Sequence, residues 1–192
     1  MSAVTFFKEF SRNWKTVGAV APSSPTLAKR MMKSAEISKA RHILELGPGT
    51  GALTTAIQDA RSKSSAYLGI EINTTFANQL RRRFKDMSFE VAGAQEFDFS
   101  SYLPPGEGFD AIVSGLPWTA FPEWLQIAIL DHVLPRLVPG GSFVTFAYWG
   151  FHKLSQGRHF RELLQRQQGT LSIIPVVWGN VPPAFVYVVR RA

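Results

Sequence analysis

The residues best suited to chemistry are a glycine-rich string and an acidic residue that follows it at a fixed distance. Residues 43–51 read Ile-Leu-Glu-Leu-Gly-Pro-Gly-Thr-Gly, the pattern of a buried strand that runs into a turn and then a helix. Glycines 47, 49 and 51 allow a sharp turn and let a ligand approach where a Cβ would collide. Glu71 lies 20 positions past Gly51 and closes a second apolar strand, where its carboxylate can bind ribose hydroxyls. Together they predict half of a pocket for a nucleotide-like cofactor.

The glycine string has more than one interpretation. Gly47-x-Gly49-x-x-Ala52 also fits the dinucleotide fingerprint, in which a helix N-terminus holds a pyrophosphate. The longer string Glu-Leu-Gly-Pro-Gly-Thr-Gly instead resembles the first motif of class I S-adenosylmethionine (SAM) methyltransferases. That resemblance implies that the loop, with Gly47, Gly49 and Gly51, binds the amino-carboxypropyl arm of SAM, that Glu45 helps to orient it, and that Glu71 binds the ribose. A turn without any ligand is the remaining alternative.

A second motif, Ser114-Gly115-Leu116-Pro117-Trp118, follows the apolar run 109–113. In an open α/β sheet it stands beside the glycine loop, at the edge where ligands bind. It is similar to the Asn-Pro-Pro-Tyr or Asn-Leu-Pro-Tyr motif of amino-group methyltransferases, including rRNA adenine dimethylases. The resemblance implies that backbone carbonyls of a proline-stiffened turn accept hydrogen bonds from the substrate nitrogen, while the ring of Trp118 stabilises positive charge. Ser114 is then a candidate cofactor contact, and Gly115, Leu116, Pro117 and Trp118 are candidate catalytic residues.

The second motif departs from the family pattern at Gly115, and its tryptophan has two interpretations. Gly115 replaces the family's Asn, whose side-chain amide suits the flat donor edge of adenine. We therefore predict a wider site with an aromatic wall, which favours an aliphatic amine over a nucleobase. The other interpretation of Trp118 is an ordinary core aromatic.

Three further positions complete the predicted pocket. Many methyltransferases of this kind place an Asp after the glycine of the third strand to meet the adenine amino group, but here Ala94 follows Gly93. Gln95 or Glu96 must then supply the contact. Tyr148 ends the fifth strand at the same rim, where its hydroxyl can bind a phosphate, order the amine or form a structural hydrogen bond. The candidates for the general base are Tyr148 and His152, and water is the alternative.

The first residues have the pattern of a membrane-interface helix. On a helical wheel, Phe6, Phe7, Phe10, Trp14 and Val17 share an arc of roughly 100°, beside a basic arc of Lys8, Arg12 and Lys15. Aromatic residues of this kind enter the headgroup boundary, and cations bind anionic lipid. The predicted membrane-binding residues are Phe6, Phe7, Lys8, Phe10, Arg12, Trp14 and Lys15. Packing on the domain's own sheet and contact with RNA are the alternatives.

Residues 7–25 and the string Pro-Pro-Ala-Phe-Val-Tyr at 182–187 resemble bacterial phospholipid N-methyltransferases, as does Ser-Gly-Leu-Pro-Trp at 114–118. The resemblance implies that the N-terminal segment both touches the membrane and covers the SAM site. Ser23 and Ser24 thereby become candidate contacts to the carboxylate of the cofactor. A helix N-cap is the alternative for these two hydroxyls.

Composition limits the remaining classes. The net charge is +7, of which residues 1–41 carry +6 from eight basic and two acidic residues, so the partner is polyanionic: nucleic acid or an anionic membrane surface. The chain has no cysteine, and its four histidines lack metal-ligand spacing, so no metal is expected. It has neither a spanning apolar run nor a signal-peptide pattern, which predicts a cytoplasmic protein peripherally bound to the inner face of the cell membrane.

The alternation of strands and helices predicts an α/β fold: the class I SAM-dependent methyltransferase fold, a Rossmann-like seven-stranded sheet with one antiparallel strand, plus an N-terminal amphipathic helix. We expect a single domain over residues 1–192, with residues 1–25 as membrane helix and cofactor cover and 26–192 as core. The family resemblance implies stepwise methylation of phosphatidylethanolamine toward phosphatidylcholine, with SAM converted to S-adenosylhomocysteine. The alternatives are an rRNA or DNA adenine methyltransferase, and a SAM-binding protein without catalysis.

Overall fold

The computed structural model describes residues 23–192. The predicted amphipathic helix and all seven predicted membrane-binding residues lie outside this range. The described part contains one sheet, whose strands are β1 (His42–Leu46), β2 (Ala66–Ile70), β3 (Ser88–Glu90), β4 (Phe109–Ser114), β5 (Leu137–Tyr148), β6 (Gly169–Val177) and β7 (Ala184–Arg191).

The strand order is β3-β2-β1-β4-β5-β7-β6, and β7 alone runs antiparallel to its neighbours. The other six strands run in one direction. Strands that follow one another in the chain and run in the same direction must be joined by a crossover, and here a crossover joins each of these strands to the next. The predicted seven-stranded sheet with one antiparallel strand is confirmed.

Helices cover both faces of the sheet. They are α1 (Pro25–Ser34), α2 (Ala52–Ala60), α3 (Thr74–Arg83), α4 (Glu123–Val133) and α5 (Ser155–Gln165). Successive strand residues point to opposite faces, so Leu44 joins the core beneath α4 and α5, whereas Ile43 joins the core beneath α1, α2 and α3. Burial on both faces explains why β1 and β4 are nearly uninterrupted apolar runs.

The functional strings meet at one edge, which we call the carboxyl edge. Leu46, the last residue of β1, pairs with Ile70 at the end of β2 and with Ser114 at the end of β4. The antiparallel strand β7 begins at this edge too, with Ala184 opposite Tyr148. The loops after β1, β2, β4 and β5 therefore leave the sheet side by side.

Two strands are irregular. β3 spans only Ser88–Glu90, because among the described strands it pairs with β2 alone and residues 93–96 form a turn closed by the bond from Glu96 N to Gly93 O (3.1 Å). β5 starts at Leu137, and residues 139–141 stay within it as an irregularity in the pairing with β4.

Candidate active site

The glycine loop between β1 and α2 has a backbone that only glycine adopts easily. Gly47, Gly49 and Gly51 have φ values of +67°, +57° and +84°. An added Cβ would lie 2.6 Å from Leu116 Cδ2 at Gly47 and 2.9 Å from Leu80 Cδ2 at Gly51. At Gly49 the nearest atom would be Gly47 O at 4.0 Å, so this glycine borders open space. The loop is thus packed at both ends and accessible in the middle.

Glu71 joins the end of β2 to this loop. Its Oε2 accepts a hydrogen bond from Gly49 N at 2.9 Å, and its Oε1 accepts one from Asn73 N at 2.8 Å. Burial raises the pKa of this carboxyl, while the backbone N–H groups of Asn73, Gly49 and Ile72 act in the opposite direction. The structure therefore brings together two residues that the sequence assigned to one pocket, and each carboxylate oxygen keeps lone-pair capacity for a further donor.

Glu45 lies in β1 and is fully buried. Its Oε2 accepts hydrogen bonds from Thr54 Oγ1 (2.9 Å) and Tyr67 OH (2.5 Å), which tie α2 and β2 to β1. Burial raises the pKa of this carboxyl to about 7, against the opposing effect of the two hydrogen bonds. A buried carboxylate can influence a ligand only through its charge or through the loop that it positions.

Gln95 follows the short β3 and lies over Gly93. Its side-chain Oε1 and Nε2 are both buried and have no hydrogen-bond partner among the described residues. A Cβ on Gly93 would lie 2.4 Å from Gln95 Nε2, so glycine leaves the room that the amide occupies. An adenine edge offers one donor and one acceptor, which an amide complements. Of the two predicted candidates, Gln95 has this unsatisfied amide, whereas Glu96 is exposed.

The turn after β4 packs directly on the glycine loop. Gly115 N donates to Leu46 O at 2.9 Å, which continues the β1–β4 pairing beyond the strands. A Cβ at Gly115 would lie 3.0 Å from Gly47 O and 3.5 Å from Leu53 Cδ1. The predicted widening of the site at Gly115 stays a prediction, and the glycine lets the Gly47 carbonyl approach the place where a Cβ would stand.

Ser114 stabilises this turn from inside. Its Oγ lies 3.1 Å from the donor Nε1 of Trp118 and 3.3 Å from the donor N of Leu116, and the residue is fully buried. The predicted cofactor contact from the Ser114 side chain is not found, because its hydroxyl is turned into the protein. Leu116 O accepts from Trp118 N (3.0 Å) and Pro117 O accepts from Ala120 N (2.8 Å), so both carbonyls are held in place by the turn.

Trp118 is a core residue. It is 2% exposed, and its ring stacks on Phe160 of α5 with centroids 4.8 Å apart and an interplanar angle of 16°. Phe121 and Phe143 approach it edge-on. The prediction of an open aromatic wall is wrong, since α5 covers the ring, and the alternative of an ordinary core aromatic describes it correctly.

Tyr148 and His152 lie at the carboxyl edge after β5 and differ in protonation. The Tyr148 hydroxyl is buried without a partner among the described residues, and burial raises its pKa to about 12, so the phenol keeps its proton at neutral pH. It cannot serve as a general base there, but it can donate a hydrogen bond. Burial and the nearby charges of Lys153 and Arg161 lower the pKa of His152, which favours the neutral imidazole. His152 Nδ1 accepts from Gly150 N at 3.3 Å.

Ser24 caps α1. Its Oγ accepts from Leu27 N at 3.3 Å, which is the N-cap role weighed as the alternative to cofactor binding. Its backbone N–H donates to Oδ1 of Asn180, a buried residue in the β6–β7 turn, at 2.8 Å. Asn180 is a positioning residue that the sequence did not reveal. Ser23 is half-buried, and its predicted role remains a prediction.

A cavity of about 710 Å³ lies between α4 and α5 and is bordered by residues 119–122, which follow Trp118. Phe121, Glu123, Gln126, Arg158 and His159 contribute to its lining, and none of the predicted site residues does. Within residues 23–192, no cluster of three or more His, Asp or Glu side chains could hold a metal ion. No helix in that same part of the chain is long and apolar enough to cross a bilayer.

Comparison with known proteins adds three findings. The family model described as "Methyltransferase domain" matches residues 43–141. An ornithine lipid N-methyltransferase of Singulisphaera acidiphila is 31% identical over 190 residues, covering 96% of this chain and 94% of the relative. A ribosomal RNA small subunit methyltransferase A of Prochlorococcus marinus is 29% identical over 112 residues, covering 58% of this chain but only 36% of that relative.

A solved structure also has this fold. The O-methyltransferase of Bacillus cereus in complex with S-adenosylhomocysteine superposes with a TM-score of 0.70 at 17% identity, covering 97% of this chain and 91% of that one. This likeness concerns the arrangement of strands and helices.

Proposed function

The chain belongs to the methyltransferase-domain family and uses SAM as its methyl donor, and from this premise we propose that it methylates the headgroup amine of a membrane lipid. Phosphatidylethanolamine, with its monomethyl and dimethyl forms, is the substrate that the sequence resemblance implies. An ornithine lipid is the second substrate to test, because the relative just described is named for it. The reaction takes place at the inner face of the cell membrane.

The observation that carries this proposal is the extent of the similarity to a lipid enzyme. The alignment with the ornithine lipid N-methyltransferase runs nearly end to end in both proteins, whereas the chain spans about a third of the rRNA relative's length. The buried Trp118 lends no support to a lipid substrate, so the proposal does not depend on an aromatic wall.

The described residues suit SAM as a ligand. Gly49 borders open space, Glu71 offers carboxylate oxygens at the end of β2, and the unsatisfied amide of Gln95 can complement an adenine edge. SAM supplies an electrophilic methyl group attached to a positively charged sulfur. We assign Glu71 to the ribose hydroxyls and Gln95 to the adenine, in agreement with their order along the carboxyl edge.

The substrate amine must lose a proton before it can attack. An alkyl ammonium has a pKa of about 10.4, so nearly all of it is charged at neutral pH. His152 is the better of the two candidate bases, since a lowered pKa leaves its imidazole neutral and able to accept a proton. The carbonyls of Leu116 and Pro117 each accept one turn hydrogen bond and have a second lone pair with which to orient the amine.

One labelling experiment tests the proposal. The purified full-length protein is incubated with methyl-labelled SAM and, in parallel, with phosphatidylethanolamine vesicles, ornithine lipid vesicles and ribosomal RNA. We expect label in a lipid fraction, with mass spectrometry identifying the methylated headgroup. Glu71→Ala is the cofactor-defective control, and Glu96→Ala, at an exposed carboxylate on the same edge, is the matched surface control.

Other outcomes assign the protein differently. Label in the RNA alone would establish the second candidate, an adenine methyltransferase, which the similarity to the rRNA enzyme over 112 residues favours. SAM binding without label in any fraction would leave a binding protein and contradict the proposed catalysis.

A further inference from the structure

Five large apolar side chains are exposed together near the ends of β5, β6 and β7. We call them the rim patch: Trp149, Phe151, Leu154, Trp178 and Val181. Trp178 is 68% exposed and Val181 76% exposed, and the rings of Trp149 and Trp178 lie 5.8 Å apart. Large apolar side chains are mostly buried in water-soluble domains. A contiguous group of exposed ones marks an interaction surface.

The rim patch lies at the carboxyl edge, beside the candidate active site. Trp149 follows β5 directly, and its N–H donates to Pro183 O at 2.7 Å, which joins it to the β6–β7 turn that carries Trp178 and Val181. Ser114 at the end of β4 pairs with Thr145 of β5, so the turn of residues 114–118 is one strand away. Adjacent strands are about 4.8 Å apart, which puts the patch and the turn on one continuous rim.

The charge around the rim patch is positive. Residues 149–165, the loop after β5 and the helix α5 that adjoin the patch, contain three basic residues, Lys153, Arg158 and Arg161, and a single acid, Glu162. Lys153 Nζ lies 5.8 Å from the centre of the Trp149 ring. Burial lowers the pKa of the neighbouring His152, and the positive charges of Lys153 and Arg161 lower it further. An anionic surface is the complementary partner.

We propose that the rim patch enters the headgroup region of an anionic lipid bilayer, as a contact additional to the predicted N-terminal helix. Tryptophan and phenylalanine prefer the bilayer interface because their rings are amphipathic or apolar, and lysine keeps its charge at the headgroups while its stem lies along apolar surface. This orientation turns the carboxyl edge toward the lipid, so a headgroup reaches the active site without leaving the bilayer. The inference rests on the proposed function for its choice of a lipid partner.

The absence of cysteine allows a site-specific test on the full chain. Val181→Cys places a single thiol on the rim patch, and Ile173→Cys places one at a comparably apolar, 43% exposed position in the middle of β6. Each is labelled with an environment-sensitive fluorophore. With vesicles of phosphatidylcholine and phosphatidylglycerol, we expect a blue-shifted emission from the label at 181 and an unchanged emission from the label at 173. A label at 181 that stays in water while the protein sediments with these vesicles would overturn the proposal.

A second variant measures the contribution of the patch to binding. Trp178→Ser removes a side chain that is mostly in water in the free protein, so we expect an unchanged thermal midpoint and a partition coefficient for the same vesicles that is about tenfold lower. Ile173→Ser is the control and should bind as the unchanged chain does. Equal partitioning of the Trp178 variant would contradict the proposal.

The two proposals can fail separately. If the label at 181 enters the bilayer but no lipid amine is methylated, the docking surface stands and the enzymatic proposal falls. In the opposite case, the label at 181 stays in water, and the Trp178 variant methylates lipid as well as the unchanged chain does, both in detergent micelles and in vesicles. The enzymatic proposal then stands and the docking surface falls.

Discussion

Replacing Glu45 by glutamine tests whether a carboxyl group buried beneath the cofactor loop works against folding at neutral pH. Glu45→Gln preserves size and keeps one oxygen for the hydrogen bonds that Thr54 and Tyr67 donate. The substituted amide nitrogen takes the position of Oε1, which has no partner among the described residues. Burying this amide nitrogen with its hydrogens unpaired costs about 1–3 kcal/mol at every pH, because an amide does not titrate.

The pH dependence follows from the raised pKa. The pKa of the Glu45 carboxyl rises from 4.5 to about 7 on folding, so between these two values the folded chain binds more protons than the unfolded one. The free energy of unfolding therefore falls as pH rises through this window. Above the window it is lower by about 3 kcal/mol than below it, because the carboxylate is then ionised while buried. The glutamine variant lacks this titration. Its stability relative to the unchanged chain should rise by about 3 kcal/mol from the acidic to the alkaline side.

The measurement is urea unfolding of both proteins at a series of pH values across this window. Taking the difference between the two proteins cancels the titration of the groups that do not interact with Glu45, while the charge of Glu71, which helps to raise the pKa of Glu45, adds a smaller coupled contribution. Glu96→Gln, which replaces an exposed carboxylate by an amide, is the control for the substitution itself. A constant difference for Glu45→Gln would refute the assignment of a buried, high-pKa carboxyl to this position.

Two further predictions concern the pocket. Gln95→Leu should raise the dissociation constant for SAM about tenfold, as measured by calorimetry. It should not lower the thermal midpoint of the free protein, because the amide has no hydrogen-bond partner to lose. Glu96→Ala should change neither quantity, and an unchanged SAM affinity of the Gln95 variant would contradict the adenine contact. Tyr148→Phe should lower the methylation rate about tenfold and leave SAM affinity unchanged, because its hydroxyl is buried and unpartnered at the rim; an unchanged rate in the lipid assay would exclude a substrate contact.

The sheet and the cofactor loop could be predicted because their signals are local. The buried strands β1 and β4 are apolar runs, and the three glycines that follow β1 have the positive φ angles that their spacing suggested. Glu71 could be placed beside Gly49 because both follow neighbouring parallel strands. Backbone geometry and strand period determine these features, and both can be read within about 30 residues.

The environment of Trp118 could not be read in this way. Its covering partner, Phe160, lies on a different helix, and nothing near Trp118 in sequence indicates which face α5 will cover. The close approach of the Gly47 loop to Gly115 has the same origin, since it depends on contact between separate loops, whereas Ser114 is held inward by hydrogen bonds within its own turn. Aromatic residues next to a catalytic motif are thus ambiguous until the packing of the neighbouring helix is known.

Long-range polar contacts were equally hidden. Asn180 holds Ser24 across 156 residues of sequence, and a lone Asn in a turn carries no local sign of such a role. The charge beside the rim patch was hidden in the same way, because Lys153, Arg158 and Arg161 are grouped with the patch only once the loop after β5 and the helix α5 are placed at the carboxyl edge.

The insertion of β7 between β5 and β6 has a consequence for how the chain matures. Residues 169–177 are synthesised before Ala184–Arg191, their one neighbour in the sheet among the described strands, and cannot hydrogen-bond to it until that strand arrives. During synthesis, β5 therefore presents an unpaired backbone edge until residues 184–191 have emerged. Premature termination shortly before residue 184 would leave one strand with no place to attach and another exposed to pairing between molecules.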